Sequence, residues 1–161
     1  MKKTEVTLDL LTKTMILISH RGNLDGPKPE KENNPKYIWE ALNEGYQVEI
    51  DVWYDKGWWL GHDRPKYKAK INDLLHCWCH AKNMAALSHM SKTPDKYHYF
   101  WHEDDRYTVT SRGYIMTHVH NPILALNGVS MMPEIIHTSE ELIYCIAICS
   151  DYISKYKHLC L

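Results

Sequence analysis

The chain has 161 residues, with 19 basic and 20 acidic side chains and a formal net charge of −1. That length suits one domain, residues 1–161, with a core of ordinary size, and the balanced charge argues against nucleic acid or an anionic membrane surface as a general electrostatic partner. Met15-Ile16-Leu17-Ile18 is too short for a signal-peptide core or a membrane span, and five cysteines, an odd number, read as reduced thiols in a cytoplasmic protein.

Residues 1–13 are polar and weakly patterned, the signature of a flexible arm or short packing segment. Thr14 to Ser19 is a continuous apolar run ending in His20-Arg21-Gly22, as a strand buried on both faces would read. Asn23 to Asn34 is loop-like in composition. Asn34-Pro35 then supplies an N-cap and an N1 proline, Ile38, Ala41 and Leu42 fall at helical spacing, and Gly45 closes the helix. A strand follows at once, so the order strand, helix, strand predicts a parallel βαβ unit.

In that strand, Gln47-Val48-Glu49-Ile50-Asp51-Val52-Trp53, a period of two puts Glu49 and Asp51 on one face and Val48, Ile50 and Val52 on the other. At roughly 3.3 Å of rise per residue the two carboxylates stand about 7 Å apart, where they repel unless a cation lies between them. A hard divalent metal suits that arrangement. The alternative is a buried ion-pair cluster with Arg21 or Lys82.

Beyond it, Asp55-Lys56-Gly57 turns the chain into a short extended piece ending at Gly61-His62-Asp63. A short helix is expected near Ile71 to Leu75, and Asn83 caps another from Met84 to about Met90. In Cys77-Trp78-Cys79-His80-Ala81-Lys82, alternation sets Trp78, His80 and Lys82 on one face and the small residues on the other. The cysteine spacing there does not fit a zinc site. Tyr97–His102, Tyr114–Thr117, Val129–Met132 and Ile146–Ile153 read as strands, and Ser139–Tyr144 as a helix. His118 and His120 read as surface loop residues, whereas His102 is a candidate for the mouth of the fold. The alternation of elements predicts an α/β barrel or a reduced version of one.

His20-Arg21-Gly22, Glu32-Asn33, Gly45 before Glu49-Ile50-Asp51-Val52, and Gly61-His62-Asp63, in this order, resemble the glycerophosphodiester phosphodiesterase family. Ile148-Cys149-Ser150-Asp151-Tyr152 also looks like that family's closing strand. The resemblance implies an incomplete TIM-type (β/α) barrel, since a full one needs about 250 residues. It also implies hydrolysis of a small-molecule phosphodiester with a divalent metal ion. His20 and His62 would share the acid and base roles, Arg21 and Lys82 would hold the phosphate, and Glu49 and Asp51 would hold the metal, with Glu32 close to it. Where the family places a Glu-x-Lys on its third strand, this chain has His80-Ala81-Lys82. The family implies Mg or Ca, but His80 as a ligand would favour Mn or Zn. The rival expectations are a non-catalytic phosphate-ester binding module and a structural or interaction protein on a degenerate barrel. Oligomeric state and substrate identity have no marker in the sequence.

Overall fold

The computed structural model describes residues 14–121, 125–135 and 141–160, so the arm expected at 1–13 lies outside them. In chain order the strands are β1 (Ile16–His20), β2 (Gln47–Tyr54), β3 (Trp58–Leu60), β4 (Tyr67–Ala69), β5 (Cys77–Ala81), β6 (His98–Phe100), β7 (Tyr107–Val109), β8 (Ile115–Thr117), β9 (Gly128–Met131) and β10 (Ala147–Ser150). Two α-helices accompany them, α1 (Pro35–Asn43) and α2 (Met84–Ser91). Both begin as expected. The Asn34 side chain accepts from the Lys36 amide with proline at the helix start, and the Asn83 side chain accepts from the Ala86 amide.

All ten strands belong to one sheet. Its parallel part runs β6-β5-β2-β1-β10-β9-β8, while β3 and β4 form an antiparallel extension of β2 and β7 pairs antiparallel with β8. The sheet is mixed α/β and is not closed: among the described residues no strand ladder joins β6 to β8. It nevertheless curls far enough for its two ends to share a core. Ile18 of β1, Trp78 of β5, Phe100 of β6, Met116 of β8, Val129 of β9 and Ala147 and Cys149 of β10 form one buried cluster. The opposite face of β2 and β5, with Val48, Ile50, Val52, Cys77, Cys79 and Ala81, packs against Ile38 and Ala41 of α1 and Ala86 and Met90 of α2. A third cluster, with Ile148 and Ile153, covers the outer face of β10.

The short chain is accommodated by omitting crossover helices. Only the β1-to-β2 and β5-to-β6 connections carry an α-helix among the described residues. The expected helix near Ile71 is a 3-10 turn, Ile71–Asp73, and of the helix expected over Ser139–Tyr144 the described part, Glu141–Tyr144, is also 3-10. The last expected strand is shorter than its apolar run: it ends at Ser150, and Ile153–Cys160 is a 3-10 helix.

Candidate active site

The inner-face parity of six of the seven parallel strands, all but β9, runs on to polar side chains, within β2 and at or just beyond the C-terminal ends of the other five. Ile18 leads to His20, Gln47 to Glu49 and Asp51, and Trp78 to His80 and Lys82. Phe100 leads in the same way to His102, Met116 to His118, and Cys149 to Asp151. Register completes the assembly, because His20 stands opposite Glu49 and Asp51 opposite His80. The result is a cavity of about 350 Å³ lined by His20, Arg21, Glu49, His62, His80, Lys82, Phe100, His102, His118 and neighbours.

Glu49 lines it and is 2% exposed, while Asp51, 0% exposed, stands behind it against Arg21, His80 and Lys82. One ligand atom from each carboxylate, together with one ring nitrogen of His80, lies within 4.8 Å of the others. Asp51 is the better neutralised of the two carboxylates. Arg21 Nε stands 2.9 Å from its Oδ2 and Lys82 Nζ 3.7 Å from its Oδ1, while the Asn33 amide donates to Oδ2. Burial works against its charge, but His80 and the Arg21 guanidinium outweigh burial and hold its pKa well below the usual carboxylate range. Glu49 is pushed the other way, first by burial and then by Asp51.

Glu49 Oε2 and Asp51 Oδ1 are buried without a hydrogen-bond partner. His80 Nε2 donates to the His102 carbonyl at 2.8 Å, since a carbonyl only accepts. His80 Nδ1 faces Asp51 Oδ1, 3.3 Å away, and Glu49 Oε1, 3.9 Å away. Three lone-pair donors converging with orphaned carboxylate oxygens fit a divalent cation, and the ring fixed through its second nitrogen is what metal-binding histidines require. The ion-pair alternative accounts for Asp51, whereas Glu49 Oε2 faces only the His20 imidazole, 3.8 Å away and beyond hydrogen-bond distance.

His20 Nδ1 donates to Asp151 Oδ1 at 2.8 Å, which leaves Nε2 as the free position, 3.8 Å from Glu49 Oε2. Burial opposes protonation of this imidazole, but Asp151 and Glu49 together raise its pKa above the ordinary 6.5. Asp151 is held low: burial disfavours its charge, yet hydrogen bonds from His20 and Asn23 prevail. Arg21 has φ +55, a strained conformation for a side chain of its size, and is fixed by Asp51 on one side and Glu32 at 3.2 Å on the other. The other Glu32 oxygen accepts from Asn23. Glu32 thus stands outside the three-residue group and orients Arg21.

His62 lies on the turn after β3 with its side chain 46% exposed, at the rim of the cavity, and its Nδ1 pairs with Asp63 at 2.7 Å. Of the residues expected at a site, His20, Arg21, Glu49, His80 and Lys82 therefore line one cavity, Asp51 is buried behind it against Arg21, His80 and Lys82, His62 borders it and Glu32 supports it. His102 lines the cavity as its position suggested. His118 also lines it, which corrects the surface reading, while His120 is exposed. Asp151 and Asn23 carried no assigned role; the strand-end parity that places His20 would have found Asp151. Among the described residues no cysteine belongs to a candidate metal group, and all five thiols are free.

Comparison with protein-family models, with curated proteins and with solved structures finds no match. No helix among the described residues is long and apolar enough to cross a membrane.

Proposed function

We propose that the protein is a metal-dependent phosphodiesterase acting on small glycerophosphodiester-like substrates, built on a reduced TIM-type barrel related to the glycerophosphodiester phosphodiesterases. One observation carries the reading: buried Glu49, with one oxygen unpartnered, lines a single cavity with His20, Arg21, His80 and Lys82, and buried Asp51 stands behind it against Arg21, His80 and Lys82. The five free thiols are those expected of a chain in a reducing compartment.

Glu49, Asp51 and His80 would hold the divalent ion, and the imidazole favours Mn or Zn over Ca or Mg. When bound, the ion supplies Lewis-acid polarisation of a phosphoryl oxygen. Arg21 and Lys82 bring further positive charge to the phosphoryl oxygens, the first as a planar fork and the second as a point charge. His20, made more basic by Asp151, takes the proton from the attacking hydroxyl or water at Nε2. His62, at the rim with Asp63 on its Nδ1, gives a proton from Nε2 to the leaving oxygen. Where the substrate carries a hydroxyl beside the phosphate, that hydroxyl attacks first and yields a cyclic phosphodiester, which water then opens.

The test is hydrolysis of a chromogenic phosphodiester and of glycerophosphodiesters with Mg, Ca, Mn, Zn or EDTA, beside His20→Ala. The expected result is metal-dependent turnover that falls about 10²–10⁴-fold in the variant. Folded protein without turnover under any ion would leave phosphate-ester binding as the function of the cavity.

A further inference from the structure

A second cavity, about 720 Å³, adjoins the first and shares Arg21 and His62 with it. It lies between the loop that follows β1 and the turn from β3 to β4. The two segments are fastened together, because the Glu30 carbonyl accepts from the Tyr67 hydroxyl at 3.0 Å and from Lys66 Nζ at 3.5 Å. The turn itself is tightly constrained. Gly61 has φ +148, a Cβ there would stand 2.3 Å from the Arg64 carbonyl, and the Gly61 carbonyl accepts from the Trp53 indole at 2.6 Å. Two rigid walls therefore enclose a space that opens onto the proposed reaction centre.

The charges lining this space are not equivalent. Glu32 is committed to Arg21 and Asn23, Asp151 to His20 and Asn23, and Asp63 to His62. Arg64 and Lys66 also line it, and neither takes part in an ion pair among the described residues. Each carboxylate of the lining thus already has a partner, whereas Arg64 and Lys66 have no carboxylate among the described residues. Nothing in the phosphoryl-transfer chemistry proposed above uses them.

We propose that this cavity seats a second anionic group, a carboxylate or phosphate, on the organic half of the diester, with Arg64 and Lys66 as its specificity residues. The proposal rests on the phosphodiesterase reading and adds the substrate class: diesters bearing an anion beyond the scissile phosphate.

Two matched substrate pairs test it, each differing by one anion: glycerophosphoserine against glycerophosphoethanolamine, and glycerophosphoinositol 4-phosphate against glycerophosphoinositol. The expected result is a preference of about tenfold in kcat/KM for the anionic member of at least one pair, the scale of one charge-assisted hydrogen bond. The preference should shrink with added salt and vanish in Arg64→Ala/Lys66→Ala. Equal rates within both pairs, or a preference that survives the double variant, overturns the proposal while leaving the phosphodiesterase reading intact. Calorimetric binding of the same pairs to His20→Gln separates the two ideas if hydrolysis is absent. Anion-dependent binding lost on Arg64→Ala/Lys66→Ala would then support the cavity, and indifferent binding would refute it.

Discussion

At the residue scale, Glu49 is an expensive side chain. It is buried beside Asp51 with one oxygen unpartnered, so its ionised form destabilises the metal-free fold. The sign follows from linkage: its folded pKa is raised, and the cost is present at neutral pH, where the unfolded carboxyl is ionised. Glu49→Gln should therefore leave the metal-free protein as stable as wild type or more so, while abolishing the rise in melting temperature on adding Mn. A metal-free variant that melts well below wild type would mean that Glu49 serves the core. Asp151 is the converse, a side chain whose charge is well used. Asp151→Asn should move the acid limb of the pH–rate profile, set by His20, to lower pH and reduce turnover; an unmoved limb would remove His20 from the base role. These two roles were unequally visible in the sequence. The alternation around Glu49 and Asp51 is an explicit pattern, whereas Asp151 is one aspartate after an apolar run and gains meaning only when β10 pairs with β1.

At the scale of elements, β6 and β8 share no ladder, and side-chain and backbone bonds from β6 to the turn between β7 and β8 span the gap instead. His98 Nε2 bonds Thr110 Oγ1 at 2.9 Å, and the Ser111 amide donates to the Tyr99 carbonyl at 2.8 Å. Burial pushes the His98 pKa down to about 4 from the ordinary 6.5. Between those two values the unfolded chain takes up the proton that the folded one refuses, so stability falls as pH drops through that window and levels off below it. His98→Gln keeps a hydrogen-bonding group and removes the titration. Its stability between about pH 6.5 and 4, followed by chemical denaturation, should decline less steeply than that of wild type; identical slopes would refute a neutral buried His98. Strand β7 (Tyr107–Val109) and strand β4 (Tyr67–Ala69) were not legible beforehand, because charged and polar neighbours flank them, whereas the equally short β6 and β8 sit in longer apolar or aromatic runs. The helices were legible, since Asn34-Pro35 and Asn83 announce their starts by cap chemistry. His118 was misread because the Asn121-Pro122 turn signal suggests surface, whereas the end of β8 brings that loop back to the cavity.

For the whole molecule, a curled, largely parallel sheet gathers the C-terminal ends of its strands around one pocket, where open and closed α/β folds alike carry their chemistry. The chain achieves this with two α-helices among its described residues by letting short turns replace crossovers; the alternating pattern indicated a mixed α/β fold and the chain length a reduced one, whereas the open sheet departs from the barrel expected. The central claim, one divalent ion held by Glu49, Asp51 and His80 and required for diester cleavage, is tested most directly by titrating EDTA-stripped protein with Mn while following both heat and hydrolysis of a glycerophosphodiester. The account predicts saturation at one ion per chain, turnover rising in step with occupancy, and loss of both signals in Asp51→Asn. Turnover that is indifferent to EDTA, or an ion bound equally well by Asp51→Asn, would contradict it.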